Sequence, residues 1–195
     1  DFKGNSSKGN SFTWNTQPTA YALDPADSIN YVSKHDNETL WDQLQYKHAS
    51  SMSIEQRVRA HNMALSIPLI SQGIPFMQLG ADLLRSKSMD RDSYNAGDWF
   101  NAVDLTKENN NWNIGLPNAE KNQEKWSEIM PISANADAQA MPQDIAYAGD
   151  VFQEFLAIRS ASPLFRLTTE QDVIDRVGFH NVGKNQQHGL IVMSI

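Results

Sequence analysis

The sequence contains no cysteine. Within this chain that excludes disulfide scaffolds, thiolate zinc sites and cysteine nucleophiles, and it leaves the redox compartment open. A basic block is missing too. Lys and Arg number 16 against 23 Asp and Glu, for a formal net charge of −7. Nucleic-acid binding requires clustered cations that displace phosphate counterions, so this balance argues against that class. No apolar run approaches the roughly 20 residues of a membrane-spanning helix. The first residues, Asp1-Phe2-Lys3-Gly4-Asn5, show neither an initiator Met nor a signal peptide, and Gly189 to Ile195 stop within a run that reads as a strand. The expectation is a piece of a longer polypeptide, whose missing N-terminal part is a required partner.

What remains is 195 residues with 40% hydrophobic and 20% charged side chains, enough to bury a core. Residues 1–20, rich in Asn, Ser, Gly and Thr, read as loop. Ser28 to Ser33 is a short β-prone run leading into Lys34-His35-Asp36-Asn37. Thr39 to Lys47 reads as a short helix with Leu40, Trp41 and Leu44 on one face. Ser53 and Gln56 have capping-box spacing and open a second helix, with Val58, Leu65 and Leu69 on a buried stripe. Pro68 is expected to kink or end it, and Gly73 to stop it. Ile74 to Gly80 then reads as a buried strand, and strand, helix, strand suits a parallel βαβ unit.

Residues 81–141 read as a long polar loop anchored by Trp99, Phe100, Trp112 and Trp126. A third amphipathic helix is expected from about Pro142 to Ala161, with Phe152, Phe155 and Leu156 as its apolar face and Pro163 marking its exit. Beyond Leu167 the pattern turns to β, with Val173, Ile174, Val177 and Phe179, a turn near Gly183-Lys184-Asn185, and Leu190 to Ile195. This reads as a hairpin opening a separate β domain.

His35-Asp36-Asn37 is the sharpest polar constellation. Two readings stand beside each other: a loop or helix-capping cluster, which Asp and Asn favour, and a ligand site beyond the end of a strand, where α/β folds place their chemistry.

Tyr31-Val32-Ser33-Lys34-His35-Asp36-Asn37-Glu38-Thr39-Leu40-Trp41-Asp42 resembles the fourth short sequence region of the α-amylase superfamily in its pullulanase-type form. Leu84-Arg85-Ser86-Lys87-Ser88, Arg91-Asp92-Ser93-Tyr94 and Gly97-Asp98-Trp99-Phe100-Asn101 resemble the run after the last barrel strand of type I pullulanases. Asn110 to Gly115 and Ile158 to Phe165 continue the series in collinear order. The resemblance implies an α/β fold: residues 1–165 as the C-terminal portion of a (β/α)8 TIM-type barrel, and residues 166–195 as the beginning of an all-β sandwich domain. It implies a retaining hydrolase of α-1,6 links in pullulan and branched starch fragments, from bacteria, with α-glucan as the partner.

The same resemblance implies that Asp36 is the transition-state stabiliser, with His35 and Asn37 beside it as contacts to the sugar and Asp92 as a contact further along the substrate. Arg85 is a sugar or carboxylate ligand on one reading, and a member of a structural ion pair on the other. For Asp92 the rival is a carboxylate in a solvated acidic loop with Asp90 and Asp98. Trp99, Trp112 and Trp126 are read as anchors rather than sugar platforms, and His180 and His188 as surface or structural groups. The family's nucleophile and acid/base fall before residue 28, where neither motif occurs, so the chain alone is expected to be inactive. No metal ligand set is identified; calcium remains a candidate through the oxygens of Asp90, Asp92, Asp98 and Asp104. Family analogy points to an extracellular, cell-surface or periplasmic address. The alternative functions are a non-catalytic carbohydrate-binding or interaction module, an isoamylase-like enzyme and an α-1,4-acting amylase fragment.

Overall fold

The computed structural model describes residues 3–5 and 7–195. Its helices are α1 (Leu40–Gln45), α2 (Ile54–Ile70), α3 (Ala119–Asn122), α4 (Trp126–Ser133), α5 (Pro142–Ala161) and α6 (Glu170–Arg176). Its strands are β1 (Thr13–Trp14), β2 (Gln17–Pro18), β3 (Ile29–Asn30), β4 (Ile74–Pro75), β5 (Gly178–Phe179) and β6 (Met193–Ser194), joined as β1–β2, β3–β4 and β5–β6. The architecture is mixed, with helices and small sheets.

The helix starts follow from their caps. Thr39 Oγ1 accepts the Asp42 N–H at 3.2 Å to begin α1. Ser53 and Gln56 form the expected reciprocal box at the head of α2, each side chain accepting the other's backbone N–H. Pro68 falls inside the last turn of α2, and Gly73 reverses the chain at φ 87°. Between the two helices, the buried Arg57 donates from Nη1 to Gln45 Oε1 at 2.6 Å, from Nε to the Met52 carbonyl at 3.0 Å and from Nη2 to the Ala49 carbonyl at 3.1 Å. One guanidinium thereby sets how α1 leads into α2.

After Gly73 the Ile74 N–H donates to the Ser28 carbonyl and the Phe76 N–H to the Asn30 carbonyl, both at 2.8 Å. The two bonds advance in the same sense along both segments, so β3 and β4 pair in parallel, as the strand–helix–strand order predicts. The pairing is shorter than expected, and the run 74–80 is not buried: Phe76 is 49% and Leu79 69% exposed. An apolar run is covered only when both faces meet a neighbouring layer, and here one strand flanks it.

Two further expectations are corrected. Residues 81–141 are not one long loop, because α3 and α4 lie within them. The Asn118 side chain caps α3 by accepting the Glu120 N–H at 2.8 Å, and Ile129 of α4 is buried. At residues 173–177 the expected strand is the end of helix α6. Thr169 Oγ1 accepts the Asp172 N–H at 3.1 Å, Gln171 bonds Asp175 at 2.8 Å, and Arg176 pairs with Asp172 at 3.8 Å. A cap and i,i+4 pairs outweigh the β-propensity of Val173 and Ile174. The antiparallel pairing itself is present between β5 and β6, with Phe179 opposite Met193.

The chain divides into two compact units. One comprises Asp1–Ile29, Gln72–Ile74 and Ser162–Ile195. In it the Gln72 amide donates to the Leu164 carbonyl at 2.7 Å and its oxygen accepts the Leu167 N–H at 3.0 Å. The His180 ring bonds the Ser194 hydroxyl across β5 and β6 at 2.6 Å, the structural role expected of it. The other unit, Asn30–Ser71 and Pro75–Ala161, holds the apolar core. Leu40, Leu65 and Leu69 form one cluster, against which Phe152 and Phe155 of α5 pack; Trp41, Val58, Leu84, Met89, Trp112, Ile129 and Ile145 form another. Leu156, expected on the buried face of α5, is 42% exposed, and that face is completed by Ile145 and Ala148.

Candidate functional site

The candidate site lies within this second unit. Beyond β3 the chain bends through residues 31–39 before α1 begins, and the bend carries Lys34, His35, Asp36 and Asn37. Lys34 forms an ion pair with Asp36, and His35 Nδ1 lies 3.2 Å from Asp36 Oδ1. The hydrogen bond from Lys34, with the charges of His35, Lys34 and Lys87, holds the Asp36 carboxyl below the usual carboxylate range. Asp36 is therefore an exposed, ionised acceptor at neutral pH. Asn37 turns the chain at φ 61°, a conformation Asn tolerates, and its carbonyl accepts the Lys87 ammonium at 2.8 Å.

Facing this bend is the segment that follows β4. His35, Asp36, Phe76, Met77, Gln78, Leu79, Arg85, Lys87, Arg91, Asp92, Ser93, Tyr94 and Asn101 line one groove of about 590 Å³. His35, Asp36, Arg85 and Asp92, four residues singled out from sequence and up to 57 positions apart (92 − 35), thus share a surface. Asn37 does not line it and meets the site through its backbone.

Arg85 forms no ion pair among the described residues. Its Nη2 donates to the Asn101 carbonyl at 2.7 Å and its Nη1 to the Leu79 carbonyl at 3.3 Å, while desolvation lowers its pKa. The guanidinium stiffens the groove wall. Gly80 makes room for it: at φ 84°, a Cβ there would lie 2.9 Å from Arg85 Cβ. Asp92 is seated by its own N–H, which donates to the buried Asp90 carboxylate at 2.8 Å; its side chain, 40% exposed, has an oxygen 3.8 Å from Lys121 Nζ. Asp90 also accepts from the Asn122 amide at 3.0 Å, so it supports Asp92 from the interior rather than sharing a solvated loop with it.

Asp104 folds onto its own turn. It accepts from the Thr106 N–H and hydroxyl, the Glu108 N–H and the Asn109 N–H, and these bonds lower its pKa. Among the described residues no group of three or more His, Asp or Glu side chains is placed to hold a metal ion. Trp112 is buried and Trp126 donates its indole N–H to the Pro117 carbonyl at 2.8 Å, so both are anchors, as expected. Trp99 stands 61% exposed with its ring edge-on to Phe100 at 5.1 Å.

Sequence reasoning missed Lys87, Arg91, Tyr94 and Asn101 as groove residues. All four fall inside the runs that carry the resemblance, but nothing in their local pattern separates a groove position from a packing one. Chemically, the groove offers carboxylate acceptors at Asp36 and Asp92, a cation at Arg91, and apolar surface at Phe76 and Met77. That set suits a ligand rich in hydroxyl groups.

Residues 107–195 match the family model described as alpha-1,6-glucosidases, pullulanase-type, C-terminal. The chain is 46% identical over 178 residues to pullulanase 1, chloroplastic, from Arabidopsis thaliana, covering 91% of this chain and 18% of the relative. It is 42% identical over 197 residues to the pullulanase of Klebsiella aerogenes, covering 100% of this chain and 18% of the relative. The chain thus spans 18% of the length of these relatives. Among solved structures, it superimposes on apo pullulanase from Klebsiella pneumoniae with TM-score 0.91 at 41% identity, covering 99% of this chain and 21% of that one. On the Klebsiella pneumoniae pullulanase complexed with maltotriose the TM-score is 0.87 at 42% identity, covering 99% and 18%.

Proposed function

We propose, from the premise that residues 107–195 are the C-terminal region of a pullulanase-type α-1,6-glucosidase, that the chain is the C-terminal part of that enzyme's catalytic region. In this reading residues 1–165 complete a (β/α)8 barrel and residues 166–195 begin a β-sandwich. The parent enzyme cleaves α-1,6 links in pullulan and branched starch fragments by a retaining double displacement. The nucleophile and the acid/base are supplied by residues outside this chain, which alone does not hydrolyse glucan. The parallel pairing of β3 with β4 supports the barrel. So does the exposure of Tyr31 and Val32, apolar side chains just beyond β3 that further strands would cover.

The observation that carries the functional reading is the convergence of His35, Asp36, Arg85 and Asp92 on one groove. As a glycosidic bond breaks, the sugar acquires oxocarbenium character and its hydroxyl protons become more acidic. An ionised carboxylate held next to those hydroxyls accepts stronger hydrogen bonds in the transition state than in the ground state, so it lowers the barrier rather than only binding substrate. Asp36 has the required ionisation and exposure, with His35 beside it, and Asp92 reaches a sugar further along the chain. Maltotriose, found in a relative's complex, is the kind of α-glucan the groove suits.

The test is Asp36→Asn in the full-length polypeptide. Turnover of pullulan should fall by about 10²-fold or more with the melting temperature retained. Near-normal turnover would sink the assignment.

A further inference from the structure

Lys87 lines the groove, yet it is only 3% exposed. Its ammonium donates at 2.8 Å to the carbonyl of Asn37, the residue after Asp36. Its backbone N–H donates to the Asp42 carboxylate at 2.8 Å, and the Ser86 hydroxyl donates to the other oxygen of that carboxylate at 2.5 Å. The Ser86 N–H is taken by the Asn110 carbonyl at 2.8 Å, and the Lys87 carbonyl accepts the Asp90 N–H at 2.9 Å. Lys87 is therefore fixed at its backbone by buried groups and at its tip by the Asp36 loop.

A residue that only fills space here would be apolar, because a buried ammonium must recover its lost hydration through specific partners. The other cations near Asp36 differ in kind. The Lys34 and His35 side chains are 35% and 85% exposed and ride on the same loop as the carboxylate. Lys87 arrives from a separate segment, 50 residues away, that is itself anchored in the interior.

We propose that Lys87 is a positioning residue for Asp36: its buried ammonium, bonded to the Asn37 carbonyl, fixes the 34–37 loop and thereby holds the carboxylate in place. The proposal rests on the reading of Asp36 as transition-state stabiliser. Lys87 is also among the charges that hold the Asp36 carboxyl below its ordinary range.

A double-mutant cycle in the full-length polypeptide tests it, with pullulan as substrate. Lys87→Met should lower kcat by about 10- to 100-fold while KM stays within about threefold, since a small displacement of a reacting-site group has that scale of effect. Because Lys87 acts through Asp36, adding Lys87→Met to Asp36→Asn should cost no further turnover. An unchanged kcat in folded Lys87→Met, or losses that multiply in the double variant, would overturn the proposal. Normal turnover of Asp36→Asn alone would instead overturn the reading beneath it, and the proposal with it. If Lys87→Met does not yield folded protein, Lys87→Gln, which keeps an amide donor, is carried through the same cycle. A lowered kcat with no further loss in the double variant then supports the positioning role, and an unchanged kcat or multiplying losses overturn it.

Discussion

The Asp42 carboxylate accepts the Ser86 hydroxyl at 2.5 Å across 44 residues of sequence. Both residues are wholly buried. This contact fastens the first turn of α1 to a segment in which Leu84, Ser88 and Met89 all adopt positive φ. Such a backbone is unfavourable for residues with side chains, and it persists only where its surroundings over-determine it. Asp42, Asn110 and the Ser86 hydroxyl, which also accepts the Ser88 N–H at 2.8 Å, do so here.

Asp42 also governs a pH response. Burial raises its pKa from 3.8 to about 6, against the hydrogen bonds from Ser86 and Lys87. The native state therefore binds its proton more tightly than the unfolded chain does, and this contribution to stability is lost as pH rises through about 6. His61 runs the other way. Burial lowers its pKa from 6.5 to about 4, while Nε2 bonds the Ala81 carbonyl at 2.7 Å, so its contribution is lost as pH falls from 6.5 toward 4. The two terms oppose each other between pH 4 and 6. Asp42→Asn should leave His61 uncompensated, so the difference in melting temperature between variant and parent should shrink as pH rises from 4 to 6. Melting curves across that window check this, and a constant difference would refute it.

Arg57→Met should destabilise the second unit by about 3 kcal/mol, since it orphans the acceptors at Gln45, Ala49 and Met52. Thermal denaturation reads the loss. Turnover below the transition should be unchanged, because Arg57 does not line the groove.

Along α2 the energetic weight lies on the buried stripe rather than at the cap. Leu65→Ala, at a side chain 1% exposed, should cost about 3–5 kcal/mol. Ser53→Ala, which breaks the capping box, should cost about 1 kcal/mol. Denaturant unfolding of both variants should return that order.

Asp92→Ala should raise KM for pullulan by about tenfold and leave kcat nearly intact, as expected of a group that binds substrate and transition state equally. Steady-state kinetics beside Asp36→Asn separates the two carboxylates. A fall in kcat at constant KM would move Asp92 into the reacting centre.

The helices were legible because their signals are local: the Ser53 box, the stripe of Val58, Leu65 and Leu69, and the Pro142–Ala161 limits of α5 each reside in a short window. The helix at 170–176 was misread because Val173 and Ile174 suggest a strand, whereas the cap at Thr169 and the pairs of Asp172 and Asp175 decide the outcome. The groove was legible in part. Asp36 and Asp92 stand in recognisable runs, but the bond from Lys87 to Asn37 joins residues 50 apart, and no short stretch of sequence records it.

The parallel pairing of β3 with β4 bears on the order in which the groove is assembled. Its two hydrogen bonds join segments separated by all of α1 and α2, so they form only after a long loop of chain has been closed. The helical turns are bonded within short windows and can form early, whereas the bend bearing Asp36 and the wall bearing Arg85 are brought face to face by this distant closure. Substitutions that weaken the Gly73 reversal should therefore slow the appearance of a competent groove more than they slow the appearance of helix.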